Sequence, residues 1–384
     1  MQRDTGASVR IYNLAKGLVS YGNDVHVIIP GEKASLQSVD GIQVHGIRGF
    51  CPNAILKVLK KVVSVERSTS LYFYDFAFIL RIVRLVQQSD VVQVEQQTAG
   101  GMLVPFVKKV LRRPVVVDCH DVFQALRVRH TSFLRRLLET FQEKLSYRCV
   151  DLILTVSKQE KSSLASYGIA ESKIEVIPNG VDTNFFTNLS KKPSILDQFG
   201  LRGYRTVIFV GNNEYFPNRE AIQLLSSVIA PLVLKEVGDT KFLIVGKTPE
   251  SLKLPNLIFT GIVKSVPDFL AVSDVAVAPL YHGTGTRLKI IEYFSCALPV
   301  VSTWLGAEGI GVENGTNILI EDDPKQFAAR IAELLRDKDL ALRLGTAARQ
   351  LAEEKYDWRA ITDKLNTVLG EISCGRPAIV QMCA

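Results

Sequence analysis

The sequence predicts an α/β protein made of two doubly wound, Rossmann-like domains facing across a cleft. Three observations carry this. Short β-branched apolar runs alternate with longer amphipathic stretches, the alternation occurs as two series, and a polar, turn-rich segment separates them.

The first series is D-V-H-V-I-I-P (24–30), V-V-Q-V-E (91–95), P-V-V-V-D-C-H (114–120), L-I-L-T-V-S (152–157) and K-I-E-V-I-P (173–178). The second is T-V-I-F-V-G (206–211), K-F-L-I-V-G (241–246), L-I-F-T-G (257–261), V-A-V-A-P (275–279) and L-P-V-V-S-T (298–303). Near-continuous apolar runs of this length read as parallel strands covered on both faces. Helical periodicity lies between them, as in Ile11–Tyr21, Asn218–Lys235 and Lys325–Arg336. The segment N-G-V-D-T-N-F-F-T-N-L-S-K-K-P (179–193) reads as the linker, with Asn179 and Asp182 shaping a hinge. Residues 1–180 are therefore expected to form one domain and 181–355 the second. Residues 356–384 are a helix near Trp358–Ile372, expected to return to the first domain, and a tail without periodicity. The chain opens inside a Gly-containing turn, D-T-G-A-S-V-R, that runs straight into a helix. The strand before such a turn is the central one of a doubly wound sheet. The expectation is a missing first strand, encoded upstream.

Composition bounds the function. With 384 residues, 47% hydrophobic and 22% charged, the chain builds large cores without disulfide or metal staples, which excludes disordered, fibrous and small secreted classes. Its six cysteines show no C-x-x-C pair and no metal-ligand spacing, as in a reducing compartment. No basic-then-apolar leader is visible, and the apolar run near 71–86 carries Asp75, Arg81 and Arg84. A cytoplasmic protein, peripheral on the inner face of the cell membrane, is expected. The net charge of +7 sits in residues 1–186, which hold 24 basic and 17 acidic side chains; the remainder is balanced. Lys108, Lys109, Arg112, Arg113, Arg135 and Arg136, with the aromatic run Tyr72–Phe78, suit a face for anionic headgroups. Nucleic acid is not an expected partner.

The strongest chemical signal is Y-H-G-T-G-T-R-L-K-I-I-E (281–292), between a strand and a helix. Gly283, Thr284, Gly285 and Thr286 form a turn that lets the backbone approach a ligand, and the helix amino end attracts anions. Arg287 and Lys289 add positive charge there, and Glu292 can accept hydrogen bonds from a diol such as ribose. Together they suit a nucleotide diphosphate. In G-N-N-E-Y-F-P-N-R (211–219), Gly211 and the Asn212 amide are expected to approach the diphosphate and Arg219 to neutralise it. In the first domain, D-C-H-D (118–121) crowds polar residues at a strand's carboxyl end, usual at a cleft. His120 and Asp118 are the expected catalytic residues, and Asp118 and Asp121 are candidates to fix the histidine's tautomer or to cap the next helix. Glu95 ends the preceding strand in the same way, and Gly6 and Ala7 form the first turn. The run E-D-D (321–323) before Pro324 reads as a helix amino cap, not a metal site.

Taken in order, these motifs resemble the retaining glycosyltransferases of family 4, also called glycosyl transferases group 1, which share the GT-B fold. The resemblance adds V-I-P-N-G-V-D at the linker, I-F-T-G-I-V-K-S-V-P-D-F-L before the fourth strand of the second series, and W-L-G-A-E-G-I (304–310), and it covers nearly the whole chain. It implies transfer of a hexosyl group from a nucleotide-diphosphate sugar to a glycan or lipid-linked acceptor, with retention and without a metal or other cofactor. It places the donor on the second domain and the acceptor on the first, with Gly6, Ala7, Glu95 and Asp121 on the acceptor side and His120 near the transferred sugar. Glu292 matches the second Glu of the family's Glu–seven residues–Glu motif, whereas Thr284 stands where the first is usual. The alternatives are a catalytically impaired nucleotide-sugar-binding relative and a nucleotide-sugar epimerase of the same fold.

Overall fold

A computed structural model describes residues 6–31, 35–48, 76–95, 100–119, 147–186, 191–249, 254, 256–283, 286–373 and 379–383. The chain divides into two compact units, Met1–Pro178 with Ile361–Ala384, and Asn179–Ala360. Each is a doubly wound α/β layer structure, as the alternation predicts.

The N-terminal unit begins with the helix Gly6–Ser20 and continues through β1 (Asp24–Gly31), β2 (Ser35–Val39) and β3 (Ile42–Arg48). The helix Phe76–Gln88 leads to β4 (Val91–Glu95), and the helix Gly100–Lys109 to β5 (Val115–Cys119). Then follow β6 (Leu152–Thr155), the helix Lys158–Ser166 and β7 (Ile174–Val176). β4, β5 and β6 are buried along their whole length. β2 and β3 form an antiparallel hairpin absent from the strand reading. Its two-residue turn, Asp40–Gly41, has φ of 52° and 83°, the left-handed pair that an Asp-Gly dipeptide favours.

The C-terminal unit holds β8 (Arg205–Val210), β9 (Thr240–Val245), β10 (Leu257–Gly261), β11 (Val275–Ala278), β12 (Val300–Ser302) and the short β13 (Leu319–Ile320). Their order in the sheet is β10-β9-β8-β11-β12-β13, all parallel. Two apolar clusters sandwich this sheet, one around Ile208, Leu243, Ile290 and Phe294, the other around Val207, Phe242, Ile229 and Phe327. The helical stretch after β8 is interrupted by a π turn over Leu225–Ile229. Pro231 explains it, because a proline inside a helix lacks the N–H for an i→i−4 bond and its ring crowds that carbonyl. Asp323 caps the helix Pro324–Arg336, accepting from the Lys325 and Gln326 amides at 3.0 and 2.9 Å, as the E-D-D run predicts.

The helix Trp358–Ile372 crosses from the second unit to the first, and the tail read as aperiodic contains β14 (Ile379–Cys383). The N-terminal sheet runs β2-β3-β1-β14-β4-β5-β6-β7. β14 pairs in parallel with β1 and β4, so the central slot expected to lack its strand is filled by residues from the other end of the sequence. Among the described residues, no helix is long and apolar enough to cross a membrane.

Candidate active site

In the C-terminal sheet the chain proceeds outward from β8 through β9 to β10, then returns to β11 on the opposite side of β8. That reversal is the switch point where open α/β sheets bind ligands, beyond the strands' carboxyl ends. The loops leaving β8 and β11 there are the two glycine-containing motifs of the second domain.

The structure joins them. The Lys289 ammonium donates to Asn218 Oδ1 at 2.8 Å. Asn218 Nδ2 in turn donates to the Asn212 carbonyl at 3.0 Å, and the Asn212 side-chain oxygen accepts from the Glu214 amide at 2.9 Å. Lys289 lies 4.2 Å from the Phe209 ring centroid, a cation–π contact at the end of β8. Tyr293, one turn further along the helix Leu288–Ser295, accepts from the Val210 amide at 2.8 Å. These contacts fix the helix against the strand end, with Arg287 buried at its amino-terminal cap position.

Glycines at the junction have steric reasons. Gly283 holds φ of 117°, and a Cβ there would stand 3.2 Å from Tyr215 Oη and 3.3 Å from Arg287 Nη2. A Cβ on Gly211 would meet Asn218 Cγ and Phe209 Cε1 at 2.8 Å, and one on Gly246 (φ 142°) would meet the Gly211 carbonyl oxygen at 2.3 Å. The backbones can approach this closely only without side chains.

The electrostatics are those of a site awaiting charge. Burial lowers the Lys289 ammonium to about 7; Glu292 opposes the shift and Arg287 adds to it. Burial raises Glu292 to about 7, with Lys289 opposing. Both groups pay desolvation that their mutual attraction does not cancel. Thr286 Oγ1 is buried without a hydrogen-bond partner among the described residues, which leaves a donor for a ligand. Around this junction Tyr215 and Phe216 after β8, Tyr281 after β11 and Trp304 after β12 are exposed aromatics, suited to stacking on a base or sugar ring.

Arg219 stands beside this junction on the helix Phe216–Leu224. It is exposed, with its guanidinium 5.7 Å from the Phe216 ring centroid, while the buried neighbour Asn218 makes the contact to Lys289. Thr284 and Gly285 lie outside the described residues, as do His120 and Asp121.

In the N-terminal unit, Asp118 does not face open space. Both its oxygens accept from Arg10, at 2.8 Å from Nε and 3.0 Å from Nη2, and both side chains are fully buried. Arg10 also donates to the Ile177 and Pro178 carbonyls at 2.8 Å each. Through Arg10, Asp118 ties the helix Gly6–Ser20 to the end of β5 and to the last residues before the second unit. Glu95 ends β4, buried, and accepts from Gln93 Nε2 at 2.8 Å. Gly6 and Ala7 open the first helix. Among the described residues, no cluster of His, Cys, Asp and Glu is arranged to hold a metal ion.

Asn218, Phe209, Tyr215 and Tyr293 were not singled out from sequence. Their only sequence signal is position, just before or after the carboxyl end of β8 or on the helix that meets it.

Comparison with known proteins agrees with this architecture. Residues 5–185 match the model of Glycosyltransferase Family 4, and residues 204–337 that of Glycosyl transferases group 1. The spore coat protein SA of Bacillus subtilis is 24% identical over 276 residues, 65% of this chain and 72% of that protein. A GDP-mannose-dependent alpha-(1-6)-phosphatidylinositol monomannoside mannosyltransferase of Mycolicibacterium smegmatis is 25% identical over 331 residues, 79% of this chain and 83% of that one. The crystal structure of Anabaena HepE in complex with UDP superposes with a TM-score of 0.69 at 17% identity, covering 97% of this chain and 98% of that one. With both family models matched in order along the chain, the chain is a glycosyltransferase of the family 4, group 1 type, and the solved neighbour shares its fold.

Proposed function

We propose that the chain transfers a hexosyl group from a nucleotide-diphosphate sugar to a glycan or lipid-linked acceptor, with retention at the anomeric carbon. The observation that carries this reading is the Asn218–Lys289 junction, which places a desolvated cation and Glu292 on one helix at the switch point. In this reading Lys289 and Arg287 meet the diphosphate, with the helix amino end, and Glu292 accepts from the ribose hydroxyls. The bond from the anomeric carbon to the phosphate oxygen breaks and the nucleoside diphosphate leaves. The acceptor oxygen attacks from the face the diphosphate vacates, and its proton passes to a diphosphate oxygen. The protein's part is electrostatic, stabilising the leaving charge and an oxocarbenium-like sugar by groups already in position. Lys289 and Arg287 supply the countercharge without a metal, and no second carboxylate at fixed separation is needed.

A lipid-linked acceptor, met at the inner face of the membrane, is supported by the basic surplus of residues 1–186 and by the lipid substrate named for the mycobacterial relative. Of the basic group, exposed Lys109 and Arg112 lie among the described residues, Lys108 pairs with Asp151 at 2.5 Å, and Arg135 and Arg136 fall outside them.

Calorimetry with UDP- and GDP-sugars, followed by NMR of the product anomer, tests the reading. A selective nucleotide sugar and a retained anomeric configuration are expected; an inverted product overturns the mechanism. Thr284, in place of a carboxylate, favours the second reading of a binder that does not transfer. Donor binding without transfer to any acceptor would establish that one instead.

A further inference from the structure

A second, exposed set of contacts joins the two glycine-containing motifs of the C-terminal unit. Phe216 opens the helix Phe216–Leu224, and Arg219 and Glu220 follow three and four residues on, the spacing that brings helical side chains onto one face. From the other motif, His282 follows β11 and immediately precedes Gly283. Its Nδ1 lies 2.5 Å from Glu220 Oε2. Its ring centroid is 5.7 Å from that of Phe216, with the planes at 57°. The Arg219 guanidinium lies over the same phenyl ring, 5.7 Å from its centroid. Three planar side chains thus gather at one place beside the junction.

The Glu220 contact orients the imidazole. A carboxylate only accepts, so His282 Nδ1 carries the proton and Nε2 is the ring's remaining polar atom. Among the described residues neither Nε2 nor the Arg219 guanidinium has a hydrogen-bond partner. Glu220 therefore holds the ring from behind, as an outer carboxylate orients a working histidine. Nε2 can bond to a hydroxyl in either protonation state, because a hydroxyl both donates and accepts. Phe216 is 50% exposed and the His282 side chain 59%. An open apolar ring flanked by an oriented imidazole and a guanidinium matches a pyranose, whose C–H face is apolar and whose rim carries hydroxyls. The exposure also bears on which sugar this is. A hexose in transfer has to be sheltered from water, whereas an acceptor saccharide enters from solvent at each turnover. Asn218 and Arg287, at the expected diphosphate place, are by contrast buried.

We propose that Phe216, Arg219 and His282, with Glu220 behind the imidazole, form a saccharide subsite on the C-terminal unit, and that its occupant is a pyranose of the acceptor. The pyranose stacks on Phe216, and its hydroxyls bond to His282 Nε2 and the Arg219 guanidinium. These are binding residues, and no proton transfer is asked of them. That the pyranose belongs to an acceptor rests on the glycosyl-transfer reading; that a pyranose binds here does not.

Saturation-transfer NMR on the full chain without nucleotide tests this. The probes are methyl α-glucopyranoside, methyl α-mannopyranoside and methyl α-galactopyranoside, and saturation of at least one is expected. F216A should weaken its binding about tenfold and H282A about fivefold, the scale of one aromatic contact and of one neutral hydrogen bond. Saturation of none of the three, or binding unchanged in either variant, overturns the proposal. A loss of UDP affinity in F216A that matches its loss of pyranoside affinity would give the ring to the nucleotide and overturn it as well. The pyranoside signal is expected to survive addition of UDP-glucose or GDP-mannose. Displacement by either would give the place to the donor's own hexose, again overturning the proposal. No transferase assay enters these measurements, so failure of the subsite and failure of the glycosyl-transfer reading are told apart.

Discussion

The two sheets centre on strands of opposite provenance. β8 is followed directly by its own loop and helix, so the strand end, Gly211, Asn218 and the helix Phe216–Leu224 form one continuous unit. β14 occupies the matching central place in the other sheet, but the helix Gly6–Ser20 belongs to the opposite end of the sequence. Geometry is thus independent of connectivity, yet the energetics differ. The β8 strand end, its loop and its helix rest on local chain closure, whereas the centre of the N-terminal sheet needs buried anchors to hold distant segments together.

Arg10 is the foremost of those anchors, and breaking it should produce the largest effect. Arg10→Met leaves Asp118 buried without its cation, and unit-wise unfolding should show the N-terminal unit losing about 3–5 kcal/mol. The C-terminal unit should keep its stability; equal losses in both would show that the units are not separable in this way.

On the other side of the comparison, Lys289→Ala and Glu292→Ala should each lower kcat/KM for sugar transfer by about 10²–10³-fold, the scale of losing one positioned electrostatic group. Circular dichroism should show both variants folded. Unchanged turnover in both would discard the site. Asn218→Ala should act more mildly, weakening nucleotide-diphosphate binding by roughly tenfold, in line with a hydrogen bond to a charged group worth about 1.5–3 kcal/mol. Calorimetry against UDP reads this directly.

The smallest effect is in pH. Glu292 is raised from its ordinary 4.5 to about 7, so its folded form holds a proton that the unfolded chain has lost. Stability should therefore fall as pH rises from 4.5 toward 7. Lys289 is lowered from 10.5 to about 7, so above 7 the unfolded chain binds the extra proton and stability should rise again. The ligand-free C-terminal unit is expected to show a shallow minimum of Tm near pH 7. The double variant K289M/E292Q should lack it, and a minimum that persists there belongs to other groups.

The ten strands named from sequence are all present, because strands buried on both faces announce themselves by continuous apolar runs. The β2–β3 hairpin escaped notice since β2 is mostly exposed and alternates weakly, although Asp40–Gly41 carried a turn signal. β14 had no local signal to offer. Five residues near a sequence end become a strand only through partners on β1 and β4. The same holds at the sites. Arg287, Lys289 and Glu292 were legible from one motif, but the Asn218 bond spans 71 residues, and Asp118 meets Arg10 across 108. Position at a strand's carboxyl end marked Asp118 as a site residue; its cation was invisible locally.

The pairing of Asp90 with Ile379 spans 289 residues. At ribosomal speeds of about 5–20 residues per second, β4 leaves the tunnel roughly 15–60 s before the neighbour it needs. The Asp90–Ile379 bond is therefore among the last contacts that a nascent chain can close.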